Sequence, residues 1–441
     1  MLVADRFRAA AGLLITLGAM SACAGASGFR VTPEEIPELE TGLARDPDDA
    51  SLRVRYASAL FAAGRCGDAR TQAEAAAAGW PENVVTPLVQ GQCLEAAGRL
   101  AEAVDIYASY LRVHPDAAGA AAVRGRMLLA QRALVALQAQ EAVLREAEIS
   151  ARPPEAGVVA VLPGRVAGGE EDRHAALARG LAQMVISDLS LLGRLRLVER
   201  IELDALLAEL ERAAAGRLDP ATAPRVGRLV RAESVIQNLL VIDDGSVRIE
   251  TLVTRGPDSN ATIETASGSL SRLLEMEKDL ALMLADRLAG PLTPAEERAI
   301  LENGPESMAA FLDWADGLLL EDRGDFAGAA QAYRRAARID VGFDDATDRS
   351  RAAAAAVSVI GRSPSEVIAL GSQAERAALS VSGDATRSAL AASAFEVAPL
   401  GPELALGGMG GVGGALTPGA LQTTPALPLD VVLRILVRIP R

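Results

Sequence analysis

A chain of 441 residues, half of them apolar, is long enough for two to four domains with their own cores. Its formal net charge of -14 excludes a nucleic-acid binder, because phosphate contacts need a basic stripe. Aromatic residues make up only 3% while alanine is abundant, a composition suited to helices that pack closely through small side chains. The basic residues are arginines with the single exception of Lys278.

Arg6 and Arg8 precede an apolar run, Ala9 to Met20, followed by Ser21, Ala22 and Cys23. A basic start, a short apolar core and small residues before a cut read as an export signal, too short to span a bilayer as a mature helix. The cysteine directly after the small residues makes the segment resemble a bacterial lipoprotein signal, with Met20 in place of the usual leucine. That resemblance implies removal of residues 1–22, lipidation of Cys23 and delivery to the periplasmic face of the outer membrane. Ala24, not aspartate, follows the cysteine. Several acyl chains anchor stably at about 0.8 kcal/mol per buried methylene.

After a short tether, Thr32 and Pro33 suit the cap and first position of a helix. Pro47, Pro81 and Pro115 then recur 34 residues apart, as do Gly64 and Gly98, and Ala69 and Ala103. This period resembles the tetratricopeptide repeat, most clearly in Gly91, Gly98, Ala103, Tyr107 and Pro115. The resemblance assigns Gly91 and Ala103 to the close crossing of two helices and Gly98 to the turn. Tyr107 is expected between neighbouring repeats, and Pro115 ends the second helix. A helix from about Ala117 to Ile149 caps or extends the stack. In such a stack Cys66 starts one helix and Cys93 ends the helix beside it. An oxidising periplasm allows a Cys66–Cys93 disulfide, and two buried free thiols fit the pattern equally.

Pro153-Pro154 closes the helices. Gly157–Leu162 is a valine-rich strand expected at the buried centre of a sheet. A long amphipathic helix follows, about Glu171 to Leu192, then a second strand, Arg194–Arg200. Helices are expected over Ile201–Ala214 and from Asp219 to about Arg231. Three strands follow, Ser234–Asp243, Ser246–Arg255 and Ala261–Leu270, with a helix over Leu273–Leu288. The order predicts a mixed α/β sandwich. It resembles the periplasmic domain of the curli secretion channel (CsgG) family, the penicillin-binding-protein activator lipoproteins and the N-terminal domain of the Tol–Pal translocation protein. The residues that carry the resemblance are Val159–Pro163, Gly180–Leu189, Arg196–Arg200, Leu203–Leu206, and Pro220 to Ala232. In the curli channel this domain extends long strand pairs into a membrane barrel. Here the strands are short, lack aromatic girdles and carry Arg248, Glu250, Arg255, Glu264 and Ser267.

Gly317, Gly324, Ala329 and Tyr333 repeat the tetratricopeptide spacing in a further hairpin, and helices continue weakly to about Phe395. Gly407–Gly414 reads as a linker. Leu429–Ile439 is a strand pattern with arginines spaced through an apolar run. The fold class is therefore α+β, with helical repeats flanking a mixed α/β sandwich. The chain divides into a signal (1–22), anchor and repeats (23–150), an α/β domain (155–292), a hairpin (293–345), a helical region (346–405), a Gly/Pro-rich linker (406–428) and a terminal strand (429–441).

His114 and His174 fall in different domains, so neither a metal site nor a histidine triad is expected. Glu170, Glu171 and Asp172 suit a helix start by complementing its dipole. Gly164, Gly168 and Gly169 lack the lysine and hydroxyl residue of a phosphate loop. No cofactor and no catalytic residue are expected. The sequence points to a non-enzymatic scaffold or accessory factor in envelope assembly or surface-polymer secretion. Its partners would be envelope or secreted proteins and other copies of itself. A ring-forming secretion pore and an activator of a peptidoglycan synthase are the alternatives.

Overall fold

The computed structural model describes residues 31–380 except 168–170, 214–221, 244 and 257–260. Cys23 and Leu429–Ile439 lie outside the described residues.

The prolines and glycines at 34-residue intervals delimit antiparallel helices. These are α1 (Ile36–Arg45), α2 (Ala50–Ala62), α3 (Cys66–Gly79), α4 (Val85–Ala96), α5 (Leu100–Val113), α6 (Ala120–Leu144) and α7 (Glu146–Ser150). Gly64 and Gly98 turn the α2–α3 and α4–α5 hairpins at φ 73° and 72°, a left-handed backbone that an L side chain resists. The α/β unit follows with β1 (Glu155–Val161), β2 (Arg165–Ala167), α8 (Glu171–Ser190), β3 (Arg196–Leu197), α9 (Arg200–Ala213), α10 (Thr222–Leu229), β4 (Ala232–Asp243), β5 (Ser246–Arg255), β6 (Thr262–Ser269), α11 (Leu273–Ala289) and α12 (Pro294–Glu302). The chain returns to helical pairing with α13 (Met308–Asp322), α14 (Phe326–Ile339), α15 (Asp344–Val359) and α16 (Pro364–Ser380). The protein is an α+β chain in which helical repeats flank a mixed sheet of six strands.

The strand order is β3-β1-β4-β5-β6, with β2 also on β4. β1 pairs parallel to the first half of β4, up to Val161 opposite Ile236. β2 resumes beside Leu239–Val241. The break at Pro163-Gly164 lets α8 approach, since a Cβ on Gly164 would lie 2.6 Å from the Ala178 carbonyl oxygen. The sheet's centre is thus the twelve-residue β4, and Gly157–Pro163 lies to one side of it. Both strands are apolar runs, and sequence pattern does not rank them. The expected strand Arg194–Arg200 shrinks to two residues, because Arg200 already opens α9.

One sheet face is covered from end to end. Val159, Val161, Ile236, Leu240, Val247, Ile249 and Val253 meet Leu181, Val185 and Leu189 of α8 and Leu280 and Leu284 of α11. Among the described residues the other face is covered only at its β1–β4 end, where Val158, Ala160 and Val235 meet α9 and α10.

The flanking repeats are not two separate stacks. Helices from both ends of the sequence form one array, and the α/β unit is inserted into it. α15 lies against α6. The contact is so close that a Cβ on Gly125 would stand 2.3 Å from the Ala355 carbonyl oxygen. α13 lies against α8, where Gly180 faces Phe311 and Ala315. α16 returns to α4, with Gly371 against Leu88 and Val84. The region after 345, expected to be weakly helical, supplies two of these joining helices.

Alanine normally gains up to ~1 kcal/mol over glycine inside a helix. At Gly125 that gain meets backbone that cannot move aside, and overpacking costs about 1–3 kcal/mol. Gly125→Ala is therefore expected to lower the urea midpoint. Gly67→Ala, whose Cβ would meet open space, is expected to leave it unchanged or raise it. Equal behaviour of the two variants would show that α6 and α15 do not stack as described.

Candidate interaction surface

The repeat residues assemble identically in two hairpins. Tyr107 of α5 lays its ring on Gly91 of α4, where a Cβ would be 2.3 Å from the ring. Tyr333 of α14 does the same over Gly317 of α13 at 2.5 Å. Ala103 and Ala329 are buried beside them. The tyrosine ring thus fills its own hairpin, and not the gap between repeats that was expected. Its hydroxyl reaches outward. Tyr107 Oη donates to Glu95 Oε1 at 2.6 Å, and Tyr333 Oη donates to Glu321 Oε2 at 2.6 Å. An arginine of the next helix pairs each glutamate: Arg126 of α6 on Glu95, and Arg349 of α15 on Glu321. Burial pushes the hydroxyl of Tyr333 well above the ordinary tyrosine range. Sequence reasoning missed the two glutamates. Their signal was present: each follows the glycine by one helical turn and precedes the tyrosine by twelve residues.

Cys66 and Cys93 meet as a disulfide between α3 and α4, with Cα atoms 5.4 Å apart. A bridge across 27 residues stabilises by about 3.5 kcal/mol in the chain-entropy description. Reduction, or Cys66→Ala with Cys93→Ala, is expected to lower stability by roughly 2–4 kcal/mol. Urea unfolding with and without reductant measures this. Intact mass after alkylation of the unreduced chain is expected to show Cys66 and Cys93 unmodified, and labelling of both would refute the bridge.

Where α8, α9, α13 and α15 converge, the joint is built from ions. Arg179 bridges Asp204, at 2.6 Å, and Asp322. Arg200 pairs with Asp322 and lies 3.6 Å from Glu321. Arg349 bonds Asp345 at 2.8 Å, which also accepts from Trp314 Nε1 at 2.8 Å. Arg179, Arg200 and Arg349 are largely buried, and the carboxylates facing each offset the cost of taking its charge out of water.

A second cluster lies under the sheet. Asp188 of α8 is fully buried and accepts from Lys278 Nζ at 2.7 and 2.9 Å and from Asn303 Nδ2 at 2.7 Å. Glu277, also fully buried, stands 3.4 Å from the same ammonium without a well-formed hydrogen bond. Burial, and then the charge of Asp188, raises the Glu277 carboxyl well above its ordinary value of 4.5. The chain's one lysine therefore neutralises a buried carboxylate. The native state keeps a Glu277 proton that the unfolded chain releases near pH 4.5. This contribution to stability is complete below that pH and is lost as pH rises toward the raised value. Glu277→Gln is expected to flatten the fall in stability that begins above pH 4.5, by up to ~1.4 kcal/mol per pH unit. Urea unfolding across that range checks it, and an unchanged slope would show that Glu277 is not protonated.

An open cleft of about 430 Å³ is lined by Trp80, Glu82, Val113, His114, Asp116 and Glu375. Glu375 of α16 holds the start of α4, accepting from Val84 N at 2.5 Å and from Asn83 Nδ2 at 2.9 Å. Burial raises its carboxyl to about 7. His114 lines this cleft and His174 sits in the first turn of α8. Among the described residues no group of three or more His, Cys, Asp or Glu could hold a metal, and no helix is long and apolar enough to cross a membrane. Of the glycines weighed for phosphate binding, Gly164 serves the approach of α8, while Gly168 and Gly169 lie outside the described residues.

Residues 165–248, from β2 into β5, match the family described as curli production assembly/transport component CsgG. No curated protein matches the chain. Among solved structures, a tetratricopeptide repeat protein from Parabacteroides merdae matches at 12% identity and a TM-score of 0.20. That match covers 72% of this chain and 90% of the other. The protein combines a segment similar to the CsgG family with helical hairpins closed by Tyr107 on Gly91 and Tyr333 on Gly317.

Proposed function

We propose that the protein is a non-enzymatic lipoprotein of the outer membrane, facing the periplasm and anchored through Cys23. In this reading it is a scaffold or accessory factor for envelope assembly or the secretion of a surface polymer. The observation that carries the proposal is the CsgG-like match over residues 165–248, set within an array of helical hairpins. Hairpin arrays expose large surfaces suited to protein segments, and here the array grips the CsgG-like unit through α8. A docking role suits this arrangement better than a pore. The apolar side of β5 (Val247, Ile249, Val253) is spent on α8 and α11, whereas a barrel strand turns that side to lipid.

Two experiments test the reading. The wild-type chain is expected to pellet with outer membranes and Cys23→Ala to appear in the soluble periplasmic fraction; identical partitioning would refute the anchor. Crosslinking in cells followed by pulldown is expected to recover an envelope or secreted protein. Recovery of monomer alone would overturn the scaffold role, and a detergent-resistant ring that conducts ions would replace it with the pore.

A further inference from the structure

The sheet ends on β6. Among the described residues β6 pairs only with β5, leaving an edge eight residues long. In an antiparallel ladder half of such a strand's N–H and C=O groups point away from its partner. Thr262, Glu264, Ala266 and Gly268 turn toward α11, with Met276 against Gly268 and Arg287 paired to Glu264. On the opposite face Ile263 is 65% exposed and stands in register beside the half-buried Leu252. Leu239 and Val241 of β4 are half-buried on the same face. Toward the middle of β5 and β6 that face is polar, with Arg248, Glu250, Thr265 and Ser267, and an unpaired edge of this length is a template for another strand.

The chain itself carries a matching strand. In Leu429–Ile439, alternate residues Val431, Leu433, Ile435, Val437 and Ile439 are all apolar. Asp430, Arg434 and Arg438 alternate on the other side with Val432 and Leu436. One wholly apolar side and one mixed side suit a strand with one covered face. Val431–Ile439 is long enough to span β6 from end to end. With the apolar side toward α11, Arg434 and Arg438 face solvent, the arrangement by which natural sheets protect an outer strand.

The described chain leaves from α16 at Ser380, so residues 381–428 connect it to this strand. The Gly/Pro-rich stretch within that connection, 406–428, would reach roughly 26 Å root-mean-square by the scaling of glycine-rich chains. It holds its end at an effective concentration on the order of millimolar. Weak edge pairing is then populated within one chain, well ahead of pairing between chains at micromolar concentration. β6 also lies beyond the CsgG-like match, which stops at residue 248.

We propose that Val431–Ile439 adds to the free edge of β6 in the same chain, completing the sheet. The test is hydrogen exchange across Thr262–Ser269, resolved to single amides. It compares the mature chain, a chain ending after Pro428, and the full-length variant Ile435→Pro. In the mature chain the β6 amides directed away from β5 are expected to exchange ~tenfold or more slowly than in the two variants. The α8 and α11 amides are expected to be equally protected in all three, which separates loss of the strand from loss of the fold. Adding a synthetic peptide of residues 429–441 to the truncated chain is expected to restore the slow exchange. Equal β6 exchange in all three proteins would overturn the proposal. Protection that appears only as sedimentation shows dimers would also overturn it, in favour of a second copy. None of these readouts depends on the anchor or on a secretion partner.

Discussion

The structure depends on one shared helix. α8 buries Leu181, Val185 and Leu189 beneath the sheet while its Gly180 admits Phe311 and Ala315 of α13. Its Arg179, with Arg200 at the start of α9, ends on Asp322 at the last turn of α13. Close approach and ion pairing reinforce each other at this point. The glycine brings the helices near enough for the guanidinium groups to leave water, and the carboxylates make that tolerable. Deleting one member of a buried pair typically costs about 3–5 kcal/mol, because the other is left charged and dry. The α/β unit is therefore poorly suited to standing apart from the array.

The ions also couple the repeat to the domain residue by residue. Glu321 receives the Tyr333 hydroxyl that completes the α13–α14 hairpin, and its neighbour Asp322 takes the two arginines of the α/β unit. Arg349 reaches the same Glu321 from α15, and α15 is the helix that lies on α6. A hairpin that did not form would misplace Asp322, so assembly of the repeat and docking of the domain are one event. In the α4–α5 hairpin the corresponding Glu95 takes the Tyr107 hydroxyl and Arg126 of α6, and among the described residues no arginine of the α/β unit reaches it.

Much of this was legible in the sequence where the governing contacts are local. Gly91 with Tyr107, Gly317 with Tyr333, and the turn glycines lie within one hairpin, so fixed spacing reports them. The three antiparallel strands were legible through alternation and the turn at Asp244-Gly245. The disulfide could be framed, though not decided, because Cys66 and Cys93 sit on adjacent helices. What pattern did not carry was the joining of distant segments. Gly125 meets Ala355 across an entire inserted domain, and neither residue differs in type from dozens of other small residues in the chain. Lys278 was conspicuous as the one lysine, yet its partner Asp188 comes from another helix, the Asn303 that shares that carboxylate follows α12, and nothing in its own neighbourhood names them. The rank of the strands was lost for a related reason. β1 and β4 are both buried apolar runs, and only the break at Pro163-Gly164 gives β4 both β1 and β2 as neighbours.

The joined array changes what the flanking repeats can do. Two separate hairpin stacks would each present a surface of their own, free to move relative to the sheet. Here α6 serves several neighbours at once, among them α5 in its own stack, α15 and α16 from the far end of the chain, and α9 on the sheet face opposite α8. A ligand that displaced α6 or α15 would therefore disturb the Arg200–Asp322 joint as well as the hairpins. Glu375 ties α16 to the start of α4 in the same manner, across almost 300 residues of sequence. The array thus behaves as a frame closed at both ends, with α8 and α9 held inside it. Among the described residues, two surfaces that the frame leaves open are the cleft beside Trp80 and the half of the sheet running out to β6.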